Sequence, residues 1–137
     1  MRGRRIAFDY GDVRIGVAVC DADTILSSPL APLRSSDPNL FLKIEELISE
    51  YQPVLFFVGL PLNMSGTSGD SAEKAKVFGS ELSERFTIPV TFIDERLSTV
   101  TAQRKLKDAG VSTRESKELI DSMAAVAILE QGLLSDR

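Results

Sequence analysis

The sequence contains no histidine and a single cysteine, Cys20. Without histidine there is no Ser-His-Asp triad, no Cys-His dyad, no imidazole metal ligand and no imidazole general base. One cysteine forms no internal disulfide and leaves no thiolate set for structural zinc; its scarcity points to a reducing compartment. No apolar run approaches the roughly 18 residues of a membrane span. The basic start, MRGRRIAFDYGD, has its apolar stretch cut short by Asp9 and Gly11, which is not the pattern of a secretory leader. A cytoplasmic protein with no membrane partner is expected.

What is present is ordinary globular composition: 137 residues, 43% hydrophobic and 26% charged. That length suits one domain, spanning residues 1–137, with enough buried surface for a core. The net charge of −4 speaks against nucleic-acid binding when taken alone. Its distribution is uneven. Residues 96–117 carry six cations (Arg96, Arg104, Lys105, Lys107, Arg114, Lys117) against Asp108 and Glu115, whereas residues 37–50 carry Lys43 against four acids. A basic face on an acidic protein is compatible with this, as is a plain solvated helix surface.

Read along the chain, Arg4–Asp9 and Arg14–Cys20 flank a Tyr-Gly-Asp turn and read as a hairpin. Residues 25–32 form a weaker third strand whose two prolines suit a sheet edge. Asp37-Pro38 reads as a helix cap followed by a first-turn proline. Leu40, Phe41, Ile44, Leu47, Ile48 and Tyr51 then recur at helical spacing until Pro53. Residues 54–59 are apolar without alternation, as in a strand covered on both faces. After the Gly/Ser-rich stretch 61–70, Asp70 and Glu73 read as a capping box for a helix with Ala75, Phe78, Leu82 and Phe86 inside. Residues 88–94 read as another strand. Ser98 caps a helix ending at Gly110, and Ser112 with Glu115 opens a last helix through Ile120, Met123, Ala124, Ala127 and Ile128. The order β-β-β-α-β-α-β-α-α implies a hairpin-led α/β sheet continued by strand–helix–strand crossovers, with helices on its faces.

Three acids occupy unusual places. Asp9 ends the first strand and Glu95 follows the last. Parallel strands share one carboxyl edge, where ligands bind, so both acids are expected in one crevice. Asp121 lies on the apolar face of the last helix, with Ala124, Ala125 and Ile128 at i+3, i+4 and i+7. A carboxylate there needs a cation, either a basic side chain or a metal. Oxygen ligands without histidine suit Mg²⁺ or Mn²⁺. Ions held in this way promote phosphodiester hydrolysis by activating water and stabilising the leaving oxygen. Each acid also has a structural reading: turn residue for Asp9, helix-start acid or salt bridge to Arg96 for Glu95, and ion-paired helix residue for Asp121. Asp9-Tyr10-Gly11 could instead be a phosphate loop of a two-lobed ATPase, but one copy in a short chain cannot enclose a nucleotide. Arg14 and Arg96, fixed cations beside the acids, are candidate phosphate contacts, and Arg104 and Lys105 are candidates to hold the nucleic-acid backbone. The segment 59–70 (GLPLNMSGTSGD) lacks the P-loop pattern. It reads as a lid or substrate-contacting loop, with Asn63 as a candidate contact.

The stretches DYG with RIGVAV (9–11 and 14–19), VGLPLNMSG (58–66), AEKA (72–75), DERLST (94–99) and DSMAA (121–125) resemble the YqgF family, also called RuvX. These are small bacterial proteins described as candidate Holliday junction resolvases and as pre-16S rRNA nucleases. The resemblance spans nearly the whole chain. It implies an RNase H-like fold with a five-stranded mixed sheet whose second strand is antiparallel. It implies that Asp9, Glu95 and Asp121 are catalytic acids and metal ligands. It also implies cleavage of structured RNA, 5′ maturation of 16S rRNA being the cellular task, with ribosome-assembly partners. A Holliday junction resolvase and a non-catalytic RNA- or polymerase-binding factor are the rival functions. Two departures concern substrate contact: Val13 stands where the family has lysine, and the run 114–118 (RESKE) is nearly neutral where the family is basic.

Overall fold

A computed structural model describes residues 3–62, 69–95 and 113–135, with side chains from residue 122 onward in the last segment. Five strands form one sheet: β1 (Arg5–Tyr10), β2 (Arg14–Cys20), β3 (Ser27–Arg34), β4 (Leu55–Leu60) and β5 (Val90–Asp94). Their spatial order is β3-β2-β1-β4-β5. β1 pairs antiparallel with β2, matching Asp9 to Gly16 and Tyr10 to Ile15. β2 pairs antiparallel with β3, whereas β1–β4 and β4–β5 are parallel. This is the expected mixed sheet with an antiparallel second strand. β3, with Pro29 and Pro32, lies at the edge.

Strand alternation sorts the core into two layers. Ile6, Phe8, Ile15, Val17, Phe56 and Val58 face helices α1 (Leu40–Tyr51) and α2 (Asp70–Phe86). Ala7, Ala18, Cys20, Phe57 and Ile93 face the last described helix, α3 (Thr113–Ser135), which answers with Ala125, Val126, Ile128, Leu129 and Leu133. Small residues on β1 and β2 beneath α3 let the helix approach closely. Gly132 continues this: a Cβ there would lie 2.7 Å from the Phe57 ring.

Local chemistry shifts several boundaries from those the sequence suggests. Asp37 does not cap α1. It accepts hydrogen bonds from the Asn39 N–H at 2.8 Å and from Lys43 Nζ, organising the turn before the helix, and Asn39 takes the cap position without a side-chain bond. Asp70 and Glu73 form no capping box. Gly69 is the cap, so both acids fall inside the first turn, where they oppose the positive helix end. β5 starts at Val90 because Pro89 has no N–H for the ladder; the Pro89 carbonyl instead accepts from the Phe56 N–H at 2.9 Å. α1 ends on Gln52 in the left-handed conformation, immediately before Pro53. The expected helix 98–110 and the box at Ser112–Glu115 fall outside the described residues or side chains.

Candidate active site at the carboxyl edge

Strand parity places Asp9: it is two residues beyond Ala7, on the α3 side of β1. Glu95 is the first helical residue after β5, and its contact with Asp9 and its place beside Ile128 next to Gly59 put its carboxyl on the same side. β4 lies between them, and its residue at that level is Gly59. A side chain at Gly59 would fill the gap: its Cβ would lie 2.8 Å from both Cδ and Oε1 of Glu95 and 2.5 Å from Ile128 Cδ1. Because residue 59 has no side chain, the Glu95 carboxyl folds over β4 and hydrogen-bonds Asp9.

The electrostatics follow from that contact. Burial is the main cause, the hydrogen bond to Asp9 and the charges of Asp9 and then Asp94 add to it, and together they push Glu95 up to about 9. Near neutral pH the pair shares a proton, with Glu95 donating and Asp9 accepting. Two carboxyl groups pressed together in this way offer only oxygen donors, which fit a hard divalent cation. Asp121 lies on α3 one turn before Ala125 and two before Ile128, the fully buried residues that seat this helix on the sheet. Its side chain is outside the described part. Among the described residues, two acids converge here, and no group of three could hold a metal.

The turn after Asp9 is braced from both sides. Ser35 Oγ donates to the Gly11 carbonyl, and Lys74 of α2 pairs with Asp12 at 2.8 Å. Arg14 opens β2 directly opposite Arg34 of β3. Of the other candidate contacts, Asn63, Arg96, Arg104 and Lys105 lie outside the described residues. Sequence reasoning missed Gly59, whose one available signal was a glycine in an otherwise bulky buried strand. It also missed Arg34, which nothing local marks.

The sequence profile described as RuvX, Holliday junction resolvase, matches residues 3–135. The chain belongs to the RuvX family. A Streptomyces coelicolor relative named as a candidate pre-16S rRNA nuclease is 43% identical over 138 residues, covering 99% of this chain and 83% of its own. A Neisseria gonorrhoeae relative with the same name is 43% identical over 129 residues, covering 93% and 85%. Among solved structures, Thermus thermophilus RuvC in complex with a Holliday junction substrate superimposes with a TM-score of 0.56 at 14% identity, covering 97% of this chain and 95% of that one. At that identity the likeness concerns the fold, and it agrees with the RNase H-like architecture expected of a RuvX protein.

Proposed function

We propose that this RuvX-family chain is a metal-dependent nuclease that hydrolyses phosphodiester bonds in structured RNA, and that its cellular task is to mature the 5′ end of the 16S rRNA precursor. Membership of a family whose relatives carry that name supports the nuclease. The observation that carries the site is the Asp9–Glu95 contact across Gly59. Asp9, Glu95 and Asp121 would hold Mg²⁺ or Mn²⁺. When bound, such an ion supplies positive charge for the transition state and lowers the pKa of water. The chain's own part is to fix the acids. β1 presents Asp9 near its carboxyl end, the turn out of β5 presents Glu95, and α3 brings Asp121 on the helix face that packs against the sheet. Glu95 must give up its proton for the ion to seat, so binding releases a proton. Arg14, Arg96 and Asn63 would contact the strand near the acids, with Arg104 and Lys105 further along its backbone. The active unit is one domain of residues 1–137 working in the cytoplasm, where ribosome-assembly partners deliver the precursor.

The test is cleavage of a 5′-labelled 16S precursor fragment by purified protein in Mg²⁺, in Mn²⁺ and in EDTA. Cleavage near the mature 5′ end in either metal, lost in EDTA, is expected. Full activity in EDTA would overturn the metal site. A four-way DNA junction in the same assay tests the resolvase reading, which also requires a stable dimer to match the symmetry of the junction. Binding of RNA without any cleavage would leave a non-catalytic binding factor.

A further inference from the structure

Arg14 and Arg34 are direct partners across the β2–β3 ladder. Like charges directly opposite on a sheet are unfavourable. Strand parity decides where they point. Their neighbours Ile15 and Leu33 belong to the layer beneath α1 and α2. Arg14 and Arg34 therefore project on the opposite side, the side of α3, which also carries Asp9 and Glu95. Both line one concavity of about 220 Å³, completed by Ala31, Pro32 and Leu33.

Their level along the sheet is equally specific. Asp9 is matched to Gly16, so Arg14 lies two residues further toward the carboxyl edge on the adjacent strand. With strands ~4.8 Å apart and a rise of ~3.3 Å per residue, Arg14 Cα lies about 8 Å from that of Asp9, and Arg34 Cα, level with Arg14 on the next strand, about 12 Å away. A row of carboxylates followed by two guanidiniums, in a chain of net charge −4, matches a polyanion that leaves the acids and crosses the hairpin. Guanidinium forks suit phosphate oxygens.

From this placement we infer that Arg34, together with Arg14, forms a phosphate clamp that holds the substrate strand beyond the scissile bond, across β2 and β3. The inference rests on the nuclease reading and adds to it a residue, a direction for the strand and a mode of contact. The clamp reads phosphate and not base, so it acts on all sequences alike.

The experiment measures binding of a fluorescent RNA hairpin with a single-stranded flank to the full chain in EDTA, as a function of salt. Arg34→Gln is expected to weaken binding roughly three- to tenfold for unrelated sequences and to flatten the salt slope by about one unit. Arg34→Lys should keep most of the slope. Arg85→Gln, on exposed α2 beside Phe41, removes the same charge from the other face and should change neither quantity. Melting temperature supplies the opposing readout: a structural Arg34 would lower it when replaced, whereas a residue that only holds phosphate leaves it unchanged. Unchanged affinity and slope for Arg34→Gln, or an equal loss for Arg85→Gln, overturns the clamp while wild-type binding and cleavage keep the nuclease. A wild-type protein that neither binds nor cleaves any RNA overturns both.

Discussion

Replacing Gly59 with alanine tests the geometry of the site with one methyl group. The new Cβ would lie 2.5 Å from Ile128 Cδ1 and 2.8 Å from Glu95 Cδ and Oε1. Carbon atoms prefer ~3.5–4.0 Å, so two neighbours must each yield by about 1 Å. Ile128 is fully buried under the sheet and has nowhere to go. Glu95 lies at the sheet edge and can swing out. Overpacking of this kind costs about 1–3 kcal/mol, which in a chain of this size lowers the melting temperature by roughly 3–10 °C. Moving the Glu95 carboxyl by about 1 Å should cut the cleavage rate by a further factor on the order of 100. Calorimetry and single-turnover cleavage on one preparation measure both. The double variant Gly59→Ala/Ile128→Val separates the two clashes. Valine lacks Cδ1, so the double variant should be more stable than the sum of the single losses implies, yet stay inactive because Glu95 is still displaced. Wild-type melting and rate in Gly59→Ala would refute the reasoning. Restored activity in the double variant would move the blame from Glu95 to the helix.

Asp9→Asn should abolish cleavage while leaving the melting temperature in EDTA near neutral pH little changed, because the isosteric amide keeps an oxygen to accept the Glu95 proton; surviving activity would return Asp9 to a turn residue. The Glu95 carboxyl is raised in the folded state from 4.5 to about 9, so between those values the folded chain keeps a proton that the unfolded chain has lost. Metal-free stability should therefore fall as pH rises through that window, and Asp9→Asn should flatten the fall; a flat melting profile from pH 5 to 9 in EDTA would contradict the contact. Mg²⁺ competes for the deprotonated pair, so its stabilisation, about 2.7 kcal/mol at 100 times Kd, should grow with pH in scanning calorimetry. Ser122→Ala removes the donor to the Leu30 carbonyl that ties α3 to β3 and should cost about 1–2 kcal/mol in urea melts, with cleavage by the folded fraction reduced if α3 shifts.

The sheet was legible because its signals are local and redundant. A short apolar run in RIAFD, the β-rich RIGVAV, a tight turn between them and two prolines in the next strand together point to a hairpin continued by an edge strand. Asp9 was legible for the same reason: it is the acid at the end of a strand, and parity sends it to the side of Ala7. The helix caps were less legible. Asp37 and Asp70 have the right chemistry, but Asp37 spends its side chain on the turn two residues before the cap, and Asp70 falls one residue inside the helix. Gly59 and Arg34 could not be found from their neighbours. What makes Gly59 necessary is a carboxyl arriving from β5, and what makes Arg34 unusual is the residue opposite it on β2. Both facts are registers between segments distant in the chain; a glycine among bulky strand residues marks position 59 without saying what it makes room for, and nothing local marks Arg34.

α3 is the only described helix over one entire side of the sheet, and it follows every described strand in the chain. Until its residues leave the ribosome, Ala7, Ala18, Phe57 and Ile93 have no cover, and the shared side of β1, β4 and β5 stays wet. The nascent chain can build the hairpin and the layer beneath α1 and α2 early, but the half of the molecule that carries the acids closes only once α3 has emerged. Closure of the side that carries Asp9 and Glu95 thus waits on a helix that follows every described strand in the chain.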